Sequence, residues 1–133
     1  LAMQKGQLHH LEFYVSDLKK TTEFWSWLLG ELGYELHQQW AQGFSFKLTH
    51  IYLVFVQTED THLATPYHRK KTGLNHLAFH ANSRQEVDDL TASLKEKGIP
   101  FLYPDKHPFA GGSNHYAVCF EDPDRMKVEV IAP

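Results

Sequence analysis

Leu8-His9-His10-Leu11-Glu12-Phe13 returns as Leu74-Asn75-His76-Leu77-Ala78-Phe79, 66 residues later, with four of the six positions unchanged. The offset is about half of a 133-residue chain. A repeat of that period means one supersecondary unit used twice, and it takes precedence over any local assignment. Both stretches read as the opening strand of their half.

The pattern that follows is also shared. Ser16 and Asp17 precede a stretch with Leu18, Trp25, Leu28, Leu29 and Leu32 on one helical face, ending at Gly33. Ser83 precedes Val87, Leu90 and Leu94, ending at Gly98. Ser83 and Glu86 form a capping-box pattern, and each glycine suits the left-handed position just past a helix. Each half therefore predicts a strand, then a helix of about three turns. Further strands are expected at Tyr34–Trp40, Phe44–Thr49 and Ile51–Gln57, and again at Ile99–Tyr103, Asn114–Glu121 and Met126–Ile131. Asp122-Pro123-Asp124-Arg125 marks the turn before the last strand. Each half thus reads as βαβββ. Module 1 covers about residues 7–57 and module 2 about 74–133. The connection Thr58–Gly73 includes the basic run His68-Arg69-Lys70-Lys71, and Pro104–Gly112 reads as a second loop.

Composition narrows the function. One Cys excludes an intrachain disulfide and a zinc site of several thiolates. A net charge of -3 argues against nucleic acid as a partner. The longest purely apolar run, Ile51–Val56, is too short to cross a membrane, and without a leader-like stretch the expected compartment is the cytoplasm. Leu1 and Ala2, ahead of Met3, read as an addition to the natural chain. Ala110-Gly111-Gly112-Ser113 lacks the lysine and helix context of a phosphate loop. The excess is in histidine, ten residues, the commonest metal-ligating side chain.

Strand alternation sorts these histidines. His10, Glu12 and Tyr14 share a face, as do His76, Ala78 and His80, and as do Lys127, Glu129 and Ile131. His9, which the repeat pairs with Asn75, is expected on the opposite face from His10. Glu129 stands within an apolar, β-prone segment, where an unpartnered carboxylate is costly to bury. Two imidazoles and one carboxylate would leave coordination positions open, a set suited to Zn, Ni, Mn or Fe. His115 reads either as a cavity residue or as a partly exposed polar one. His37, His50, His62, His68 and His107 read as loop or surface residues, with His68 and His107 kept as weak substrate contacts. Cys119 reads as a small buried hydrophobe.

Three motifs then resemble the vicinal oxygen chelate superfamily, which includes glyoxalase I, bleomycin-resistance proteins, fosfomycin-resistance enzymes and extradiol dioxygenases. They are Leu8–Leu18, Gly73–His80 and Phe120–Glu129, in the family's order and spacing. The resemblance implies an α+β fold: one domain over residues 1–133, with tandem βαβββ modules, the linker at 58–73, and a curved, partly open eight-stranded sheet (a half-barrel) around a metal and ligand cavity. It implies metal ligands at His10, His76 and Glu129. The fourth ligand of glyoxalase I has no counterpart, because Leu53 or Phe55 holds the matching place, and Arg125 replaces the usual glycine of the final turn. The implied activity is a glyoxalase-like, metal-dependent isomerase or lyase acting on a small oxygenated substrate. By face, Glu129, Glu12 and His80 are the candidate bases, and Tyr14, His115, His68 and Phe109 the candidate substrate contacts. The alternatives are a drug-binding protein that stacks its ligand on Trp40, Tyr67 and Phe109, and an extradiol-type dioxygenase. A homodimer is expected, with the Trp-rich first helix offering apolar surface.

Overall fold

The computed structural model describes residues 3–133, so Leu1 and Ala2 lie outside the described residues. The chain divides into two compact units, one ending at Pro66 and the other spanning Tyr67–Pro133.

In the first unit, strand β1 (His10–Val15) leads into helix α1 (Leu18–Glu31), then β2 (Glu35–Trp40), β3 (Gly43–Leu48) and β4 (Ile51–Gln57). The sheet order is β1-β4-β3-β2, with β1 and β4 parallel and the other pairs antiparallel. Parallel neighbours cannot be joined by a tight turn, so the chain must cross over, and α1 is part of that crossover. Asp17 caps the helix by accepting from Lys20 N at 3.1 Å, and Gln57 Oε1 at the end of β4 accepts from Leu18 N at 2.8 Å. Gly33 ends the first helix segment at φ +90°. Trp25, Leu28 and Leu29 are fully buried, and the Trp25 ring lies 5.0 Å from Phe55, which stacks in turn on Phe13 and Phe44.

This packing corrects one expectation. The first helix does not offer Trp25 as a free apolar surface, because that ring is buried inside its own unit, while Trp27 is half-buried. Exposed apolar residues of this unit include Leu36 and Trp40 on the edge strand β2.

The second unit repeats the plan with β5 (His76–His80), α2 (Arg84–Glu96), β6 (Ala117–Glu121) and β7 (Lys127–Ile131), in the order β5-β7-β6. Again the first and last strands are parallel. Ser83 Oγ accepts from Glu86 N at 3.2 Å, while the Glu86 carboxylate accepts from Asn82 N at 2.6 Å. Val87 and Leu94 are fully buried, as are Val118, Phe120 and Val128.

Seven strands are present among the described residues, not eight. The segment Ile99–Tyr103 forms only an isolated bridge, Phe101 to Phe120, with one added bond from Leu102 N to Cys119 O. Pro100 has no amide to donate, Tyr103 sits at φ 55°, and Pro104 follows, so a regular ladder cannot propagate. Strand β6 also starts at Ala117 rather than Asn114, because residues up to His115 are held in turns such as His115 N to Gly112 O.

Replacing Trp25 by Ala removes the largest buried side chain of the first unit. It is expected to cost about 3–5 kcal/mol, read as a lowered urea midpoint.

Candidate functional site

In the second unit the parallel register sets Ala78 opposite Glu129, and the antiparallel register sets Cys119 opposite Glu129 on the other side. Glu129 therefore occupies the central strand of a three-stranded sheet, flanked by small side chains, and only 8% of it is exposed. Its aim depends on the preceding turn. Asp122 Oδ1 accepts from Asp124 N at 2.9 Å and Met126 N at 2.8 Å, and Arg125 takes φ 65°, the left-handed position where glycine is less strained. Arg69 and Arg125 both donate to Glu121 Oε2, and Arg69 also reaches the Arg125 carbonyl, which ties the basic run to this turn.

Two imidazoles converge on the Glu129 carboxylate. His115 Nε2 donates to Oε2 at 2.5 Å, and His76 Nε2 lies 3.5 Å from Oε1. The His115 ring packs directly on the Gly111 backbone, where a Cβ would meet Cδ2 at 2.5 Å. His76 Nδ1 lies 2.7 Å from Asn75 Oδ1, a pure acceptor, so Nδ1 carries the proton. In the neutral ring the Nε2 lone pair then faces a carboxylate oxygen. Two acceptors held 3.5 Å apart repel unless a proton or a metal cation lies between them, and a nitrogen–oxygen pair of this kind suits a borderline divalent ion. The residues of this unit fit such an ion as a pair. Among the described residues, no three His, Cys, Asp or Glu side chains are arranged to hold a metal by themselves.

Cys119 belongs to the same row. Burial pushes its thiol up to about 11, reinforced by the Glu129 charge and a hydrogen bond to Glu129, with Lys127 opposing. The sulfur is a protonated neighbour of the carboxylate at neutral pH, and not a thiolate nucleophile. Sequence alternation marked it as a small hydrophobe. Its position opposite Glu129 follows only from the β6–β7 register.

The first unit sets His10, Glu12 and Tyr14 on the exposed face of β1, opposite Tyr52, Val54 and Val56 of β4. Tyr52 is a platform that the sequence did not reveal. The His10 ring stacks on it at 4.9 Å and 7°, and the His37 ring lies 5.2 Å away. His9 is corrected here. Its ring is not opposed to that of His10, because regular pairing begins only at His10. The two Nδ1 atoms lie 2.9 Å apart, and His9 meets Tyr52 edge-on at 5.3 Å.

The remaining candidates are dispersed. His80 is exposed at the end of β5, paired with Ile131. His68 Nδ1 accepts from Lys70 N at 3.1 Å. Phe109 meets Tyr116 edge-on at 5.4 Å and lies under the Arg84 guanidinium. His107 packs on Phe101 at 4.8 Å, and burial holds its pKa below the usual imidazole range.

A family model described as Glyoxalase/Bleomycin resistance protein/Dioxygenase superfamily matches residues 7–130. The uncharacterized protein YqjT of Bacillus subtilis is 55% identical over 126 residues, covering 95% of this chain and 98% of that protein. A crystal structure of a provisionally assigned glyoxalase from Bacillus halodurans is 61% identical, with a TM-score of 0.96 and 97% of both chains covered. Glutathione transferase FosA of Serratia marcescens is 28% identical over 123 residues, covering 92% of this chain and 78% of that one.

Two outcomes are expected of this geometry. Gly111→Ala pushes the His115 ring off Glu129, seen as a shifted His115 imidazole resonance in a protein that keeps its circular dichroism. In metal-stripped protein, thiol alkylation at pH 8 is slow until urea is added, and Glu129→Gln lowers the Cys119 pKa from about 11.

Proposed function

We propose, from the premise that this chain belongs to the Glyoxalase/Bleomycin resistance protein/Dioxygenase superfamily, that it is a divalent-metal-dependent enzyme of the isomerase or lyase type. Its substrate is a small compound that offers two neighbouring oxygens. The observation that carries the reading is His76 Nε2 lying 3.5 Å from the buried Glu129 carboxylate while Asn75 Oδ1 occupies its Nδ1.

His76 and Glu129 are the proposed ligands of the second unit. His10 is the proposed third, and the reading holds whether this copy or a second copy of the chain supplies it. Zn, Ni, Mn and Fe all accept such a donor set. When bound, the ion supplies Lewis acidity toward the substrate oxygens, leaving the protein to move a proton. His115 holds a proton on Nε2 against Glu129 Oε2, so the pair can pass one proton between them. Glu12 and His80 remain the other candidate bases, and Tyr14, Phe109 and His68 the candidate substrate contacts. On β4, Leu53 and Phe55 are buried, so no oxygen donor stands there to complete a glyoxalase I ligand set. A homodimer belongs to the same proposal, with Leu36 and Trp40 of the edge strand as its exposed apolar surface.

The similarity to a protein named as a glutathione transferase favours one second reading, thiol transfer to a substrate held on the same residues.

Elemental analysis after reconstitution is the test. The wild type is expected to bind divalent metal stoichiometrically, and His76→Ala and Glu129→Ala to lose it. Metal retained by both variants would sink the ligand assignment. A wild type that takes up none after reconstitution points to a sequestering protein. Turnover that appears only with added glutathione selects the second reading.

A further inference from the structure

The repeat that pairs His10 with His76 also pairs His9 with Asn75. In each unit, the side chain just before the strand histidine meets that histidine's Nδ1, at 2.9 Å for His9 and 2.7 Å for Asn75. We infer that His9 and Asn75 are a duplicated pair of positioning residues, each fixing its neighbour as the Nδ1–H tautomer so that Nε2 is bare and can bind metal. This rests on the metal reading above.

In the second unit the direction is fixed by chemistry. Asn75 Oδ1 has no proton to give, so His76 Nδ1 donates. In the first unit, one of two nitrogens 2.9 Å apart must carry the proton, and the proposal puts it on His10. His9 then accepts through Nδ1 and keeps its own proton on Nε2. The reverse arrangement would leave His10 with Nε2–H and no lone pair for a ligand. Tyr52 holds both rings in place, flat against His10 and edge-on to His9. A partner on the far ring nitrogen sets both the tautomer and the orientation of a ligating imidazole, and its loss typically weakens binding about 10–100-fold. The two devices differ in residue type but present the same group, an acceptor beside Nδ1. Neither residue is buried, so their replacement leaves the core intact.

Nitrogen-15 NMR of the histidines, with zinc titrated into the metal-free protein by calorimetry, tests this. In the wild type, His10 and His76 are expected to be protonated on Nδ1, and His9 on Nε2. His9→Leu and Asn75→Leu are expected to lose that tautomer preference at their neighbours and to bind zinc about 10–100-fold more weakly, with unchanged circular dichroism. His9→Asn, which puts the second unit's residue into the first, and Asn75→Asp are expected to keep both properties. A His10 protonated on Nε2 overturns the proposal, as do leucine variants that bind zinc like the wild type. Leucine variants that weaken binding without rescue by the acceptor-bearing ones also overturn it. A wild type that takes up no zinc overturns the metal reading, and the tautomer measurement then decides the positioning roles by itself.

Discussion

Each unit pairs its first strand in parallel with its last, and the other structural facts hang on that pairing. Parallel neighbours require a crossover. The chain meets that requirement with one helix capped at its start, by Asp17 in the first unit and Ser83 in the second. The helix then covers one sheet face with Trp25, Leu28 and Leu29, or with Val87, Leu90 and Leu94. The opposite face carries His10 and Glu12 in the first unit and His76 and Glu129 in the second. The same pairing sets His10 beside Tyr52 and Ala78 beside Glu129, so the pairing that determines the architecture also determines which groups meet.

Glu129 shows how a costly group is retained. A carboxylate on the central strand, only 8% exposed, must be matched by partners. His115 supplies a hydrogen bond, Cys119 a protonated thiol and His76 a ring nitrogen across 3.5 Å. The last of these is matched as a pair of acceptors only by a proton or a cation. That imbalance, rather than the number of histidines, is what marks the site.

The duplication does not copy every detail. Pro100 and Tyr103 break the ladder that would have made an eighth strand. The positions ahead of the two histidines diverged in residue type, to His9 and Asn75, and kept the contact to Nδ1.

Legible in the sequence were the strand-then-helix start of each half, the Ser83–Glu86 cap and the alternation along the strands that carry His10, His76 and Glu129. These follow from alternation, helical period and turn chemistry, all of which act over a few residues. Strand pairing settled the rest: Ile99–Tyr103 makes a single bridge, His115 reaches Glu129, Cys119 lies opposite it, and Tyr52 carries His10. The tertiary structure also brought the His9 ring against that of His10, just ahead of the first residue of the strand. Those contacts depend on which strands become neighbours and in what register, a long-range outcome that no local pattern encodes.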